Sequence, residues 1–230
     1  GFDGVEIHAA HGYLLSSSLS PRINNRKDKW GGSFENRARL LQLILQKVRA
    51  SVGNNFILAV KINSSDFQKG GLEISDSVKI ANLIEKENID FIEVSGGNFE
   101  APEAYQYVSL KESTKSREAY FLDAAKNIKA SVSIPIMVTG GFRSISVMEE
   151  ALSSSATDLI GIGRPFIIDP SFPYKLLNGD ISVLPAVEQK FPPVQDVPKG
   201  AVLNWFCDQL AIQGKTGKGN INIPLLDGHE

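Results

Sequence analysis

His8 and His11 stand three residues apart at the end of a short apolar run, Val5-Glu-Ile7, and they are two of only three histidines in the chain. A histidine closing a strand, followed by another on the loop, puts two imidazoles at a strand-to-loop mouth, where α/β folds keep their ligands. That is where chemistry usually sits in such folds. A second chemical pattern closes two later apolar runs. Val138-Thr-Gly-Gly-Phe-Arg143 and Ile162-Gly-Arg-Pro165 each pass through glycine into arginine. Gly140, Gly141 and Gly163 let the backbone approach a ligand closely, and Arg143 and Arg164 bring forked, permanently charged donors, which together describe a phosphate cradle. The competing reading is plainer: turn glycines beside solvated arginines. Lys61 sits inside the run Phe56–Ile62. By itself, such a lysine belongs at a sheet edge or snorkels to water.

These residues need strands to hold them. Apolar, β-branched runs recur at 5–7, 56–62, 90–94, 134–138 and 159–162, each short enough for a buried strand. Between them, helical periodicity runs over 33–52, 74–88, 120–131 and 144–154, with Ser33 and Ser144 as capping residues. Strands alternating with helices predict parallel βαβ units. Periodicity alone leaves a doubly wound sheet and a barrel both open. The phosphate pattern on two successive terminal strands favours the barrel, where such a site is frequently built by the loops after strands seven and eight. From about Asn178 the chain turns Pro- and Gly-rich, with one further helix expected at 201–212 and a Gly/Lys loop after it. This gives an expected division into a barrel portion, 1–180, and a C-terminal extension, 181–230.

Bulk properties narrow the ligands. With 24 Lys+Arg against 26 Asp+Glu, the formal charge of −2 offers no electrostatic reason for a nucleic-acid or membrane-surface partner, so a small molecule is expected. Cys207 is alone, which excludes an internal disulfide and fits a reducing compartment; a cytoplasmic protein is the expectation. No run of about 18 apolar residues exists to span a bilayer, and no basic-then-apolar leader opens the chain.

Several strings taken together resemble the old yellow enzyme family of NADH:flavin oxidoreductases and FMN-dependent ene-reductases. They are His8-Ala-Ala-His11, the stretch from Leu19 to Arg39 with Trp30-Gly-Gly-Ser-Phe-Glu-Asn-Arg37 at its centre, Val60–Asp66, Val94-Ser-Gly-Gly97, Thr139–Arg143 and Gly161–Pro165. The resemblance implies an eight-stranded parallel β/α (TIM) barrel of which this chain covers roughly strands four to eight. It also implies FMN at the C-terminal strand ends, with hydride passing from NADH or NADPH through the flavin to an activated alkene or related acceptor.

Carried over by position, His8 and His11 match the pair that bonds the acceptor's electron-withdrawing group. Lys61 matches a cation, often arginine, beside the pyrimidine edge of the flavin, where reduction gathers negative charge and a cation raises the potential. Gly140, Gly141, Arg143, Gly163 and Arg164 match the phosphate-holding positions. Ser95-Gly-Gly97 matches a loop near the mouth and is assigned no contact. The Trp30–Arg37 string reads structurally, as a turn and a helix start whose Arg37 and the nearby Arg39 are partnered or exposed. Tyr13, close to His11, is left between site and packing.

The first strand starts within a few residues of Gly1, so the chain is expected to enter its fold midway, as a fragment of a longer protein. Five strands leave two open sheet edges, to be covered by an N-terminal half or by a second copy of the chain. Two other functions fit part of the pattern: a phosphate-binding remnant without catalysis of its own, and another phosphate-site barrel, an isomerase or aldolase. The latter has no need of His8, His11 and Lys61 together.

Overall fold

In the computed structural model, residues 1–97, 118–187, 191–192, 198 and 200–225 are described. Five strands, β1 (Gly4–Ala9), β2 (Ile57–Asn63), β3 (Phe91–Ser95), β4 (Ile136–Thr139) and β5 (Leu159–Gly161), form one all-parallel sheet in sequential order. The helices are α1 (Leu14–Leu19), α2 (Phe34–Val52), α3 (Ile74–Glu85), α4 (Leu122–Lys129), α5 (Ile145–Ser153), α6 (Arg164–Ile168), α7 (Phe172–Leu177) and α8 (Ala201–Thr216). The sequential order decides between the two architectures left open above. A doubly wound sheet reverses its strand order at a switch point, and here the order never reverses, as in a barrel wall.

Register sorts the side chains into two faces. Ala9, Ile62, Val94, Val138 and Ile160 form one row across the five strands, and Ile7, Val60, Ile92 and Ile136 form the next row on the same face. Val60, Ile62, Ile92, Val94, Ile136 and Val138 are fully buried there. The apolar residues of the helices are buried with them: Leu41 and Leu45 of α2, Ile80 and Ile84 of α3, and Ile128 of α4. Each such burial stabilises by roughly 1.5–3 kcal/mol. The opposite face carries His8, Lys61, Glu93, Met137 and Leu159 in one row, with Glu6 on the same side two residues before His8.

The helices follow their local signals. Ser33 Oγ accepts from the Asn36 amide at 3.4 Å to open α2, and Gly53, at φ +75°, closes it. Arg37 is partnered as expected, donating to the Leu19 carbonyl at 2.8 Å, and Arg39 donates to that of Lys29 at 2.8 Å. Short α1, absent from the sequence-based reading, comes from Leu-Leu-Ser-Ser-Ser-Leu, which has no capping side chain and three residues of modest helix propensity. It forms because Leu15 and Leu19 are buried, with α2 as its helical neighbour.

The chain divides into two compact units. The first, 1–105 with 119–140 and 151–161, contains the sheet; the second comprises 106–118, 141–150 and 162–230. In the second, Ile168, Val187, Trp205 and Phe206 form a core, with Trp205 Nε1 donating to the Ile223 carbonyl at 2.9 Å. Helix α8 covers the expected 201–212 and continues to Thr216, ending on Gly217 in the left-handed region. Its added turn has a use: Gln213 Nε2 donates to the carbonyls of Phe166 and Ile167, at 2.7 and 3.0 Å, satisfying groups of α6.

Candidate active site

Within the first unit, the C-terminal end of β1 brings the two histidines together. Their rings lie 5.2 Å apart, edge to face, and the Tyr13 ring lies 5.2 Å from that of His8. His11 is held in the left-handed region at φ +66°, a conformation that costs a non-glycine residue on the order of 1–2 kcal/mol. Its amide donates to Asn63 Oδ1 at 3.0 Å, and its Nε2 lies 2.9 Å from Ser95 Oγ. Burial first, and then the charge of Lys61 and the neighbouring His8, pushes His11 down to about 3. His8 is lowered too, by burial and then by Lys61. Both imidazoles are therefore neutral near pH 7, each offering one N–H.

Lys61 pairs in register with His8 on one side and Glu93 on the other, and its Nζ lies 2.7 Å from Glu93 Oε1. Glu93 is 5% exposed. Glu6 completes the group. Its carboxyl is pushed up to about 8, by burial and then by its hydrogen bond to Glu93 and that residue's charge. Burial also opposes ionisation of Glu93, yet the Glu6 hydrogen bond and the Lys61 charge outweigh it and hold Glu93 below the ordinary range. One proton thus stays on Glu6 while Glu93 remains an anion against Lys61. A charged residue inside an apolar strand was the visible signal for Glu6 and Glu93, in Val5-Glu-Ile7 and Phe91-Ile-Glu-Val94, and the sequence-based reading did not use it.

Gly140 follows β4 in the same unit at φ +145°, and a side chain there would run into the Phe121 ring at 2.7 Å, so only glycine fits. The other phosphate candidates belong to the second unit. The Arg143 amide donates to Glu118 Oε2 at 2.6 Å, as does the Ser144 amide at 2.7 Å, and Arg143 Nη1 donates to the Phe142 carbonyl at 2.7 Å. Gly163 caps α6 and Arg164 is its first residue. Gly163 has an ordinary φ of −107°, and among the described residues nothing lies within 4 Å of where its Cβ would be. No chain neighbour requires glycine there; open space beside an arginine does suit an approaching phosphate.

A parallel β/α wall wound in one direction, with its donors and cation at the carboxyl ends of β1 and β2, belongs to the β/α-barrel class of folds. The chain belongs to the NADH:flavin oxidoreductase / NADH oxidase family, whose model matches residues 1–180. Over 182 residues it is 40% identical to the NADH-dependent flavin oxidoreductase iliE of Neonectria sp. (strain DH2), a match covering 75% of this chain and 23% of that protein. Among solved structures it resembles a 2-naphthoyl-CoA reductase complexed with 2-naphthoyl-CoA, at 35% identity and a TM-score of 0.73, over 80% of this chain and 28% of that one. It also resembles an old yellow enzyme homologue from Zymomonas mobilis, at 25% identity and a TM-score of 0.62, over 87% and 52% of the two chains. The chain spans less than half the length of the curated relatives it matches. The family works with NADH or NADPH and a flavin, typically FMN.

Taken separately, each unit carries residue types that suit such a cofactor. Lys61 supplies a cation on the polar face of the sheet, the neutral histidines supply N–H donors, and Gly163 with Arg164 offers room and charge for a phosphate. Among the described residues no helix is long and apolar enough to cross a membrane.

Proposed function

We propose that this chain supplies the acceptor-binding and FMN-binding residues of an oxidoreductase that passes hydride from NADH or NADPH to an activated alkene or a related small-molecule acceptor. The observation that carries the reading is the pair of neutral imidazoles, 5.2 Å apart, beside Lys61 at the carboxyl end of β1. Bound FMN would supply the two-electron relay between reductant and acceptor. Lys61 would face the pyrimidine edge of its ring, while Gly140, Gly141, Arg143, Gly163 and Arg164 would hold its phosphate. Lysine lacks the planar fork of arginine, so Glu93 has the task of aiming it. The five strands would then stand as the fourth to eighth of a closed barrel.

The histidines do the electrostatic work. Hydride arriving at the β carbon of an enone leaves negative charge on the carbonyl oxygen, and the N–H groups of His8 and His11 bond that oxygen more strongly as the charge grows. Their neutrality matters, since an imidazole unprotonated near pH 7 stays a donor without giving its proton away. The α carbon then needs a proton, from a donor that these residues do not identify; Tyr13, its ring 5.2 Å from that of His8, is a candidate.

The test is turnover of cyclohex-2-enone with NADH or NADPH in the presence of FMN. Reduction at the C=C bond, lowered about 10²–10³-fold by His8→Ala or His11→Ala, is the expected result. Equal rates in the parent and in the double variant would overturn it.

A further inference from the structure

His11 can serve as a donor only while it is held in place, and its loop begins that work: His11 and Gly12, both at positive φ, are the central residues of a turn in which the Tyr13 amide donates to the Ala10 carbonyl at 3.4 Å. It occupies the left-handed region without being glycine, at φ +66°. Such a residue persists where its surroundings over-determine it. Here they do so through β2 and β3. Asn63, 2% exposed at the end of β2, accepts the His11 amide on Oδ1 at 3.0 Å. Its Nδ2 donates to Asp66 Oδ1 at 2.9 Å and to the Gly97 carbonyl at 3.0 Å. These three bonds allow only one orientation of the amide, because a flipped Asn63 would point Nδ2 at the His11 N–H and Oδ1 at two acceptors. Asp66, 1% exposed, is fixed in turn by Ser20 Oγ and the Leu72 amide, both at 2.9 Å on Oδ2. On the other side, Ser95 Oγ at the end of β3 meets the His11 ring at Nε2.

We propose that Asn63 and Ser95 are positioning residues for His11, Asn63 anchoring its backbone amide from a buried contact with Asp66 and Ser95 holding its ring at Nε2. The inference rests on the reading of His11 as the acceptor's hydrogen-bond donor for its purpose, though not for its geometry. Three strands meet in this device: His11 follows β1, Asn63 ends β2 and Ser95 ends β3, so the sheet's register is transmitted to one imidazole. A donor must sit within a fraction of an ångström of its target, and a misplacement of about 1 Å costs roughly 10²-fold in rate.

The experiment reads His11 directly, by long-range ¹H–¹⁵N correlation of the imidazole nitrogens in the whole chain, for the parent and for Asn63→Ala, Ser95→Ala and Ser95→Thr. The parent and Ser95→Thr are expected to share one set of neutral His11 ring nitrogen shifts throughout pH 5–8. Ser95→Ala is expected to move the His11 Nε2 shift, and Asn63→Ala to lose protection of the His11 amide against hydrogen exchange, with His8 shifts unchanged in Ser95→Ala. Ser95→Thr keeps the hydroxyl on a β-favouring residue, so the contrast survives even if Asn63→Ala fails to fold. An unmoved His11 Nε2 shift in Ser95→Ala would overturn the proposal, as would a protected His11 amide in a folded Asn63→Ala. With cyclohex-2-enone, kcat/KM is expected to fall about 10–100-fold in Ser95→Ala and to recover in Ser95→Thr. Spectral changes as expected, with no turnover by the parent, would keep the positioning role and sink the oxidoreductase reading instead.

Discussion

The two faces of strand β2 lie one side chain apart and obey different rules. Leu58, Val60 and Ile62 are fully buried and can be described by size and shape alone. Ala59, Lys61 and Asn63, alternating with them, belong to a face where each polar group has a matched partner: Lys61 has Glu93 on the next strand, and Asn63 has the His11 amide after β1 and Asp66 just after its own strand. One face buys the stability that the other needs to keep charges out of bulk water. The comparison teaches that the site is written into sheet register, so its residues should be separable from the core by mutation even where they are adjacent in sequence.

The sharpest way to break that separation is to truncate a neighbour on the apolar face. Ile62→Ala, beside Lys61, is expected to cost about 2–5 kcal/mol in urea unfolding. It should leave the ring nitrogen shifts of His11 where they were. A shift as large as that of Ser95→Ala would show that the two faces are not independent. Removing charge from the polar face should do the reverse. Lys61→Met is expected to lower the potential of bound FMN by about 30 mV or more, equivalent to about 1.4 kcal/mol for two electrons, when followed by spectroelectrochemical titration. An unchanged potential would remove Lys61 from the flavin's surroundings.

A further set of effects comes from protons. The folded His11 ring is pushed to about 3 against an ordinary 6.5, so between those values the unfolded chain binds the extra proton. Stability should therefore fall as pH drops from 6.5 towards 3, and His11→Asn should flatten that slope in thermal unfolding. Glu6 has the opposite sign. Raised to about 8 from 4.5, it holds a proton in the folded state that the unfolded chain gives up, so its contribution weakens as pH rises from 4.5 to 8. Glu6→Gln, uncharged throughout, should lose that dependence.

Much of the fold was legible in the chain. The five strands and the helices α2, α3, α4, α5 and α8 follow from β-branched runs, helical periodicity and caps such as Ser33, with ends shifted by a few residues. Helix α1 was not legible, because Leu-Leu-Ser-Ser-Ser-Leu helps itself little and is stabilised by burial of Leu15 and Leu19. Helix α6 begins at the Arg164-Pro165 pair that drew attention as a phosphate motif, and its helical character lay hidden behind that reading. In the site, His8, His11 and Lys61 were visible through motif and spacing. Asn63, Asp66 and Ser95 lay inside strings that were noticed, yet their task comes from partners 3 to 84 positions away, which spacing along the chain does not reveal.

The most direct test of the whole account is a fluorescence and absorbance titration of the protein with FMN and, in parallel, with riboflavin, repeated for Arg164→Ala. Saturable binding of both, with FMN the tighter and the difference erased in Arg164→Ala, is the result expected of a flavin site whose phosphate is held by the glycine–arginine loops. Equal affinities for FMN and riboflavin in the parent, or no saturable binding of either, would contradict it.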